Sequence, residues 1–190
     1  SLCGHQITML HIDEKISHKL DGWLDNDPEG QALGIFAAKY LLWAFLGAAI
    51  IVYPWINKTN EGAVIYDLFL ILSALAAHLI TFLLSFVVRR KRPYETSPDT
   101  WHLPIRFYTS SFPSGLATIG VAVAMFLVWY WHPSLLIAVV LYAIAAIVAI
   151  ARVIVGVHYV TDVIVGAVIG TGVGYLSLRL LEKLLLFHWV

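Results

Sequence analysis

The residues able to do chemistry fall in three short polar groups set among long apolar runs. The densest is Arg152-x5-His158-x3-Asp162. An arginine inside an apolar span costs about 2.5–3.5 kcal/mol on insertion scales, so it needs a partner or a task. His158 and Asp162 are four residues apart and share a face if one helix carries both. A carboxylate beside one ring nitrogen fixes the tautomer and stabilises the charged ring. The other nitrogen is then available as base or nucleophile. The plainer alternative is a buried polar network pinning two helices together. The second group is Arg89-Arg90-Lys91-Arg92-Pro93. Taken alone it is a basic flank of a membrane span, a common feature. The third is Ser110-Ser111-Phe112-Pro113-Ser114-Gly115. It has the pattern of a serine-capped helix N-terminus, whose amides and dipole bind anions. Taken alone, simple capping explains it. Guanidinium groups, a helix N-terminus and a His–Asp pair together point to a phosphate site.

The scaffold that must bring them together is apolar. Of 190 residues, 60% are hydrophobic and 13% charged. Soluble domains run near 45–50% and 25%, so the composition argues against a soluble globular domain. Net charge is zero, which implies no general attraction to nucleic acid. Cys3 is the single cysteine, so no intramolecular disulfide forms. The chain opens on Ser1, which leaves a trimmed or processed start open. The acidic residues of the first thirty positions do not suit a secretory signal peptide.

Five apolar runs have transmembrane length: about Leu33–Pro54, Ala63–Val88, Gly115–Trp131, Leu135–Val157 and Val160–Leu181. All are expected to be helices, because a chain in lipid must satisfy its own backbone. Residues 8–24 carry Leu10, Ile12, Ile16, Leu20, Trp23 and Leu24 at helical spacing, which predicts an amphipathic helix on the membrane surface. The expected fold is therefore all-α, an integral-membrane bundle of about five transmembrane helices plus that interfacial helix. It forms a single membrane domain over 1–190, with the bundle at 33–181 and a functional loop at 93–114. That loop holds four prolines and several aromatics, and long loops in compact proteins are often functional.

Tracking sides brings the three groups to one surface. The second run ends at Arg92 and the third begins near Ser114, on the same face. The fourth returns to that face at His158, where Asp162 opens the fifth. A naive count puts eight basic residues on this face against three on the other, which would make it cytoplasmic. Cations retained for anion binding distort such a count.

In order and spacing these residues resemble the type-2 phosphatidic acid phosphatases, which include undecaprenyl-diphosphate phosphatases. The family pattern is Lys-x6-Arg-Pro, then Pro-Ser-Gly-His, then Ser-Arg-x5-His-x3-Asp. Arg92-Pro93 matches the end of the first motif and Pro113-Ser114-Gly115 most of the second. Arg152, His158 and Asp162 match the third at full spacing. The resemblance implies a lipid phosphate or diphosphate substrate, an extracytoplasmic site in a bacterial inner or plasma membrane, and no metal or other cofactor. It implies that His158 attacks phosphorus to form a phosphohistidine and that Asp162 orients His158. Arg92, Arg152, Ser114 and the Gly115 amide would hold the phosphoryl oxygens.

Three positions depart from the pattern. Ser85 stands where the family has lysine, and Arg89, one turn further along the expected helix, is a candidate replacement cation. Ala151 replaces the serine before Arg152. Leu116 replaces a histidine resembling the general acid that protonates the leaving oxygen, and leucine has no proton to give. Leu116 admits three accounts. It is an inactivating change, natural or engineered, that leaves a lipid-phosphate binder. The acid has moved, with His102 in the long loop as a candidate. Or the substrate needs no acid, as for an isoprenyl diphosphate, whose leaving group is itself a phosphate. A transporter using Arg152, His158 and Asp162 as an ion path is a further reading.

Other features read as structural. Gly166, Gly170 and Gly174 repeat every four residues, which predicts a close packing face within the bundle. Trp43, Trp55, Trp129, Tyr130 and Trp131 suit the interface near span ends. His78, within the second run, either faces the site or is a satisfied buried histidine.

Overall fold

The apolar runs fold as helices. The structure is a computed structural model and describes Asp13, Ile16, Lys19 and residues 27–57, 60–96 and 109–187. In chain order the helices are α1 (Pro28–Lys39), α2 (Leu41–Asn57), α3 (Asn60–Val88), α4 (Pro93–Thr96), α5 (Gly115–Trp131), α6 (Leu135–Ile154) and α7 (Val160–Phe187). Among the described residues, three helical segments are long and apolar enough to cross a membrane: Val64–Thr96, Leu135–Ile154 and Val160–Leu184. Helices α1 and α2 together give a fourth, bent by 46°. Helix α5 is shorter, at 17 residues, or about 25 Å at 1.5 Å per residue.

Two expected runs differ in detail. The first is not one helix, because it breaks at Tyr40. There the Ala38 carbonyl accepts a hydrogen bond from Arg152 Nη1 at 3.2 Å. In a continuous helix that carbonyl would serve the amide four residues on. The fourth run ends at Ile154 rather than Val157. Gly156, at φ 69°, turns the chain there. His158 and Asp162 therefore do not share one helix.

Helix α5 is the centre of the bundle. Ala117 through Gly120 and Ala122 through Leu127 are buried along it, and it packs against α3, α6 and above all α7. The contact with α7 is close because of the glycines. A Cβ on Gly166 would lie 2.9 Å from the Ser114 carbonyl oxygen, and one on Gly170 would strike the Thr118 carbonyl oxygen. Gly174 faces Ala122 and Met125 in the same way. The small-residue face is thus internal packing. The outer surface is covered by side chains such as Leu135, Leu136 and Val139, exposed as lipid contact requires.

The interfacial aromatics divide. Trp43 and Trp129 face outward. Tyr130 and Trp131 turn inward onto buried Tyr66, at ring separations of 5.0 and 6.3 Å. Of the expected interfacial helix 8–24, the described residues are Asp13, Ile16 and Lys19, all helical; the others lie outside the described residues, as does Trp101.

Candidate active site

The Arg152-x5-His158 spacing is explained by how α6 ends. Gly156 adopts the left-handed conformation just past the helix, and its amide donates to the Val153 carbonyl at 2.9 Å. The Val157 amide donates to the Arg152 carbonyl at 3.3 Å. This glycine-dependent reversal is the Schellman motif. It folds His158 back beside Arg152, where the His158 amide also donates to the Arg152 carbonyl at 3.2 Å.

The x3 spacing to Asp162 is a helix cap. Asp162 Oδ2 accepts from the Tyr159 amide at 2.9 Å, and the Asp162 amide donates back to the Tyr159 carbonyl at 3.1 Å. Asp162 thereby satisfies an amide at the start of α7 and complements its dipole. Its second oxygen, Oδ1, accepts from Arg90 Nη1 at 2.8 Å. Arg90 Nη2 reaches Asp13 at 2.6 Å, and its guanidinium lies 3.8 Å from the centre of the Tyr159 ring.

His158 is buried, and its two ring nitrogens differ. Nδ1 donates to the Ser111 carbonyl at 2.6 Å. Asp162 Oδ2 is 3.7 Å from Nδ1, close enough for charge but beyond a hydrogen bond. A backbone carbonyl, with the carboxylate behind it, therefore fixes the tautomer. Nε2 keeps its lone pair and faces Arg152 Nη2 at 3.2 Å. Burial lowers the His158 pKa to about 4, with Arg152 and Arg92 adding to the shift and Asp162 opposing it. At neutral pH the ring is uncharged.

A cavity of about 210 Å³ is lined by His158. Arg92, Gly115, Leu116, Arg152 and His158 all line it, so residues distant in sequence do converge. Arg92 is clamped by backbone oxygens, donating to Val157 at 2.9 Å, to Thr109 at 3.2 Å and to Ser110 at 3.2 Å. Thr109, Ser110 and Ser85 also line the cavity.

Other expected residues lie elsewhere. Ser114 is fully buried and is not among the cavity-lining residues. Its side chain makes no cap at α5, whereas its carbonyl accepts from the Thr118 amide and hydroxyl. The expectation for Arg89 assumed that α3 continues to Arg92. Instead α3 stops at Val88, and Arg89 has φ 43°. Its side chain is exposed in an adjoining pocket that shares Ser85, Thr109 and Ser110 with the first. His102 lies outside the described residues.

Sequence reasoning passed over two participants. Ser111 acts through its backbone carbonyl, which residue type does not reveal. Arg90 sat unremarked in a basic flank, and its partner Asp13 is far away in sequence. His78, for which the sequence left open a place at the site or in the core, lines the cavity and is exposed.

A model of the PAP2 superfamily matches residues 67–185. The chain is similar to a solved transmembrane PAP2-type phosphatidylglycerolphosphate phosphatase from Bacillus subtilis, at 25% identity and TM-score 0.70, over 93% of this chain and 87% of that one. It also shares its fold with LpxE of Aquifex aeolicus, at 22% identity and TM-score 0.61, over 85% of this chain and 93% of that one.

Proposed function

Since the chain belongs to the PAP2 superfamily of phosphatases, we propose that it is a membrane lipid phosphatase working through a phosphohistidine at His158. The observation that carries this reading is the state of His158. Its Nδ1 is held by the Ser111 carbonyl, its unprotonated Nε2 faces Arg152, and it lines a cavity together with Arg152 and Arg92. Phosphoryl transfer depends mainly on positioning and on stabilising charge on the phosphoryl oxygens. Arg152, Arg92 and the α5 N-terminus at Gly115 supply that charge. A phosphoryl group entering between Arg152 and His158 takes the guanidinium donors and leaves Nε2 free to attack phosphorus. The bond from phosphorus to the lipid-side oxygen breaks. Asp162 offsets the positive charge that develops on the ring. Water then cleaves the phosphorus–nitrogen bond and releases phosphate.

The favoured substrate is an isoprenyl diphosphate such as undecaprenyl diphosphate, with phosphatidate-type monoesters next. With leucine at 116, a leaving group that is already a stable phosphate is the less demanding one. The site sits at the membrane surface, extracytoplasmic in a bacterial inner or plasma membrane, with the lipid tail in the bilayer. An ion path is disfavoured by what lies beneath the site, where fully buried Leu70, Val123, Phe126 and Leu127 fill the bundle.

The test is phosphate release from an isoprenyl diphosphate in detergent by this chain beside its His158→Ala variant. Release that disappears in the variant supports the enzyme. Lipid-phosphate binding without release by either favours a catalytically impaired relative, for which Leu116 and Ser85 are the evidence.

A further inference from the structure

We propose that His78 is the proton donor to the leaving oxygen, taking over from the cavity wall the task that Leu116 cannot perform. The inference rests on the phosphatase reading above and extends its substrate class to lipid monoesters.

His78, Thr81, Phe82 and Ser85 are spaced at 0, 3, 4 and 7 and together form the α3 wall of the cavity that holds His158. The α5 wall opposite is Gly115 and Leu116. The two walls touch at one level, where a Cβ on Gly115 would lie 3.4 Å from Thr81 Oγ1. Helix α3 rises toward the site and α5 descends from it. His78 is therefore about 4.5 Å deeper than Thr81 along α3, and Leu116 about 1.5 Å deeper than Gly115 along α5. His78 thus lies on the bilayer side of the cavity, about 3 Å deeper than Leu116 and on the facing helix.

That is the side an acid needs. In-line displacement places the leaving oxygen opposite the attacking Nε2. A lipid's leaving oxygen also points to its tail, and hence into the bilayer. His78 is itself exposed, beside outward-facing Leu75, Leu79 and Phe82, so a chain entering from lipid passes it. Among the described residues its ring makes no hydrogen bond, and it stacks on Phe82 at 6.2 Å between centroids. Among the described residues lining the cavity, the imidazoles are those of His158 and His78.

The step balances as follows. His158 Nε2 forms a bond to phosphorus while the phosphorus–oxygen bond to the lipid breaks. The leaving oxygen takes the electron pair and a proton from protonated His78, giving the lipid alcohol. Water then cleaves the phosphorus–nitrogen bond with both its protons leaving on the released phosphate, which restores His158, and neutral His78 regains its proton from solvent.

The test compares two substrates with the full chain in detergent, a long-chain alkyl monophosphate and an isoprenyl diphosphate. General acid catalysis is typically worth about 10²–10⁴-fold, and more where the leaving group is poor. His78→Gln is expected to lower the monophosphate kcat by about 10²-fold or more and to change the diphosphate rate by less than about threefold. The diphosphate rate reports that the variant is folded. Adding Leu116→His to His78→Gln is expected to recover monophosphate turnover. Equal loss on both substrates, or no loss on either, overturns the assignment while the phosphatase reading stands. A wild-type chain inert on both substrates overturns that reading and this inference with it.

Discussion

His158 Nδ1 stands 2.6 Å from the carbonyl oxygen of Ser111 and 3.7 Å from the carboxylate of Asp162. The tautomer is therefore set by the backbone, and the carboxylate contributes charge. In a histidine oriented by a carboxylate alone, the amide variant can install the wrong tautomer. Here Asp162→Asn keeps the Ser111 contact. Loss of the charge is expected to reduce turnover by about 10²–10³-fold. Phosphohistidine should still form at a measurable rate, unlike in His158→Ala. Rapid-quench trapping of the intermediate distinguishes the two. An Asp162→Asn variant as inert as His158→Ala would contradict this division of labour.

The same burial fixes the pH dependence. The folded His158 titrates near 4, below its ordinary value of 6.5. Protonation removes the attacking lone pair, so the acid limb of kcat/KM attributable to this group should fall near pH 4 rather than near 6.5. Stability follows the same sign. Between these values the unfolded chain binds the proton and the folded chain does not. The contribution of His158 is thus complete above about pH 6.5 and is lost as pH falls towards 4. Carbon-13 chemical shifts of labelled His158 in detergent report the titration directly, and a midpoint near 6.5 would overturn both statements.

What the sequence revealed followed from long-range composition and from residue type. Apolar length located the runs, and α5 matches its expected bounds at both ends. The Gly166, Gly170 and Gly174 face was legible because only backbone proximity requires that repeat. The turn at Gly156 was not, because Val155, Val157 and their neighbours continue the apolar pattern through the place where the helix stops. Nor was the break at Tyr40. It coincides with a long-range contact, the buried Arg152 guanidinium on the Ala38 carbonyl, and local sequence carries no trace of that. The contacts around Asp162 were hidden for a similar reason, since Arg90 and Asp13 meet only after folding.

The glycine face gives a graded stability series. Gly170→Ala places a methyl group against the Thr118 carbonyl and the Ala122 amide of α5. Overpacking of this kind costs about 1–3 kcal/mol. Gly172→Ala meets nothing within 4 Å and serves as the matched control. Gly166→Ala presses on the Ser114 carbonyl and Thr118, at the α5 end beside the site. It should therefore lower activity as well as melting temperature. Thermal melts in detergent rank the three. Equal melting of Gly170→Ala and Gly172→Ala would mean that α5 and α7 are not packed as described.

Arg152 uses two arms of one planar group, Nη1 on the Ala38 carbonyl and Nη2 on His158 Nε2, each at 3.2 Å. Lysine retains the charge but has a single ammonium on a flexible stem, and it does not reproduce that fork. Were Arg152 only a cation for phosphate, Arg152→Lys would keep most of the activity. Because it also joins the break between α1 and α2 to the nucleophile, the substitution should leave the Ala38 carbonyl buried without a partner or withdraw the donor from the site. The expected outcome is a loss in kcat/KM of about 10²-fold or more, the scale of removing one preorganised donor. A lower melting temperature should accompany it, since an unsatisfied buried carbonyl costs about 1–3 kcal/mol. Arg152→Gln should lose inorganic phosphate binding as well, which isothermal titration measures. An Arg152→Lys variant close to wild type in both rate and melting would reduce Arg152 to a point charge and sever the helix break from the site.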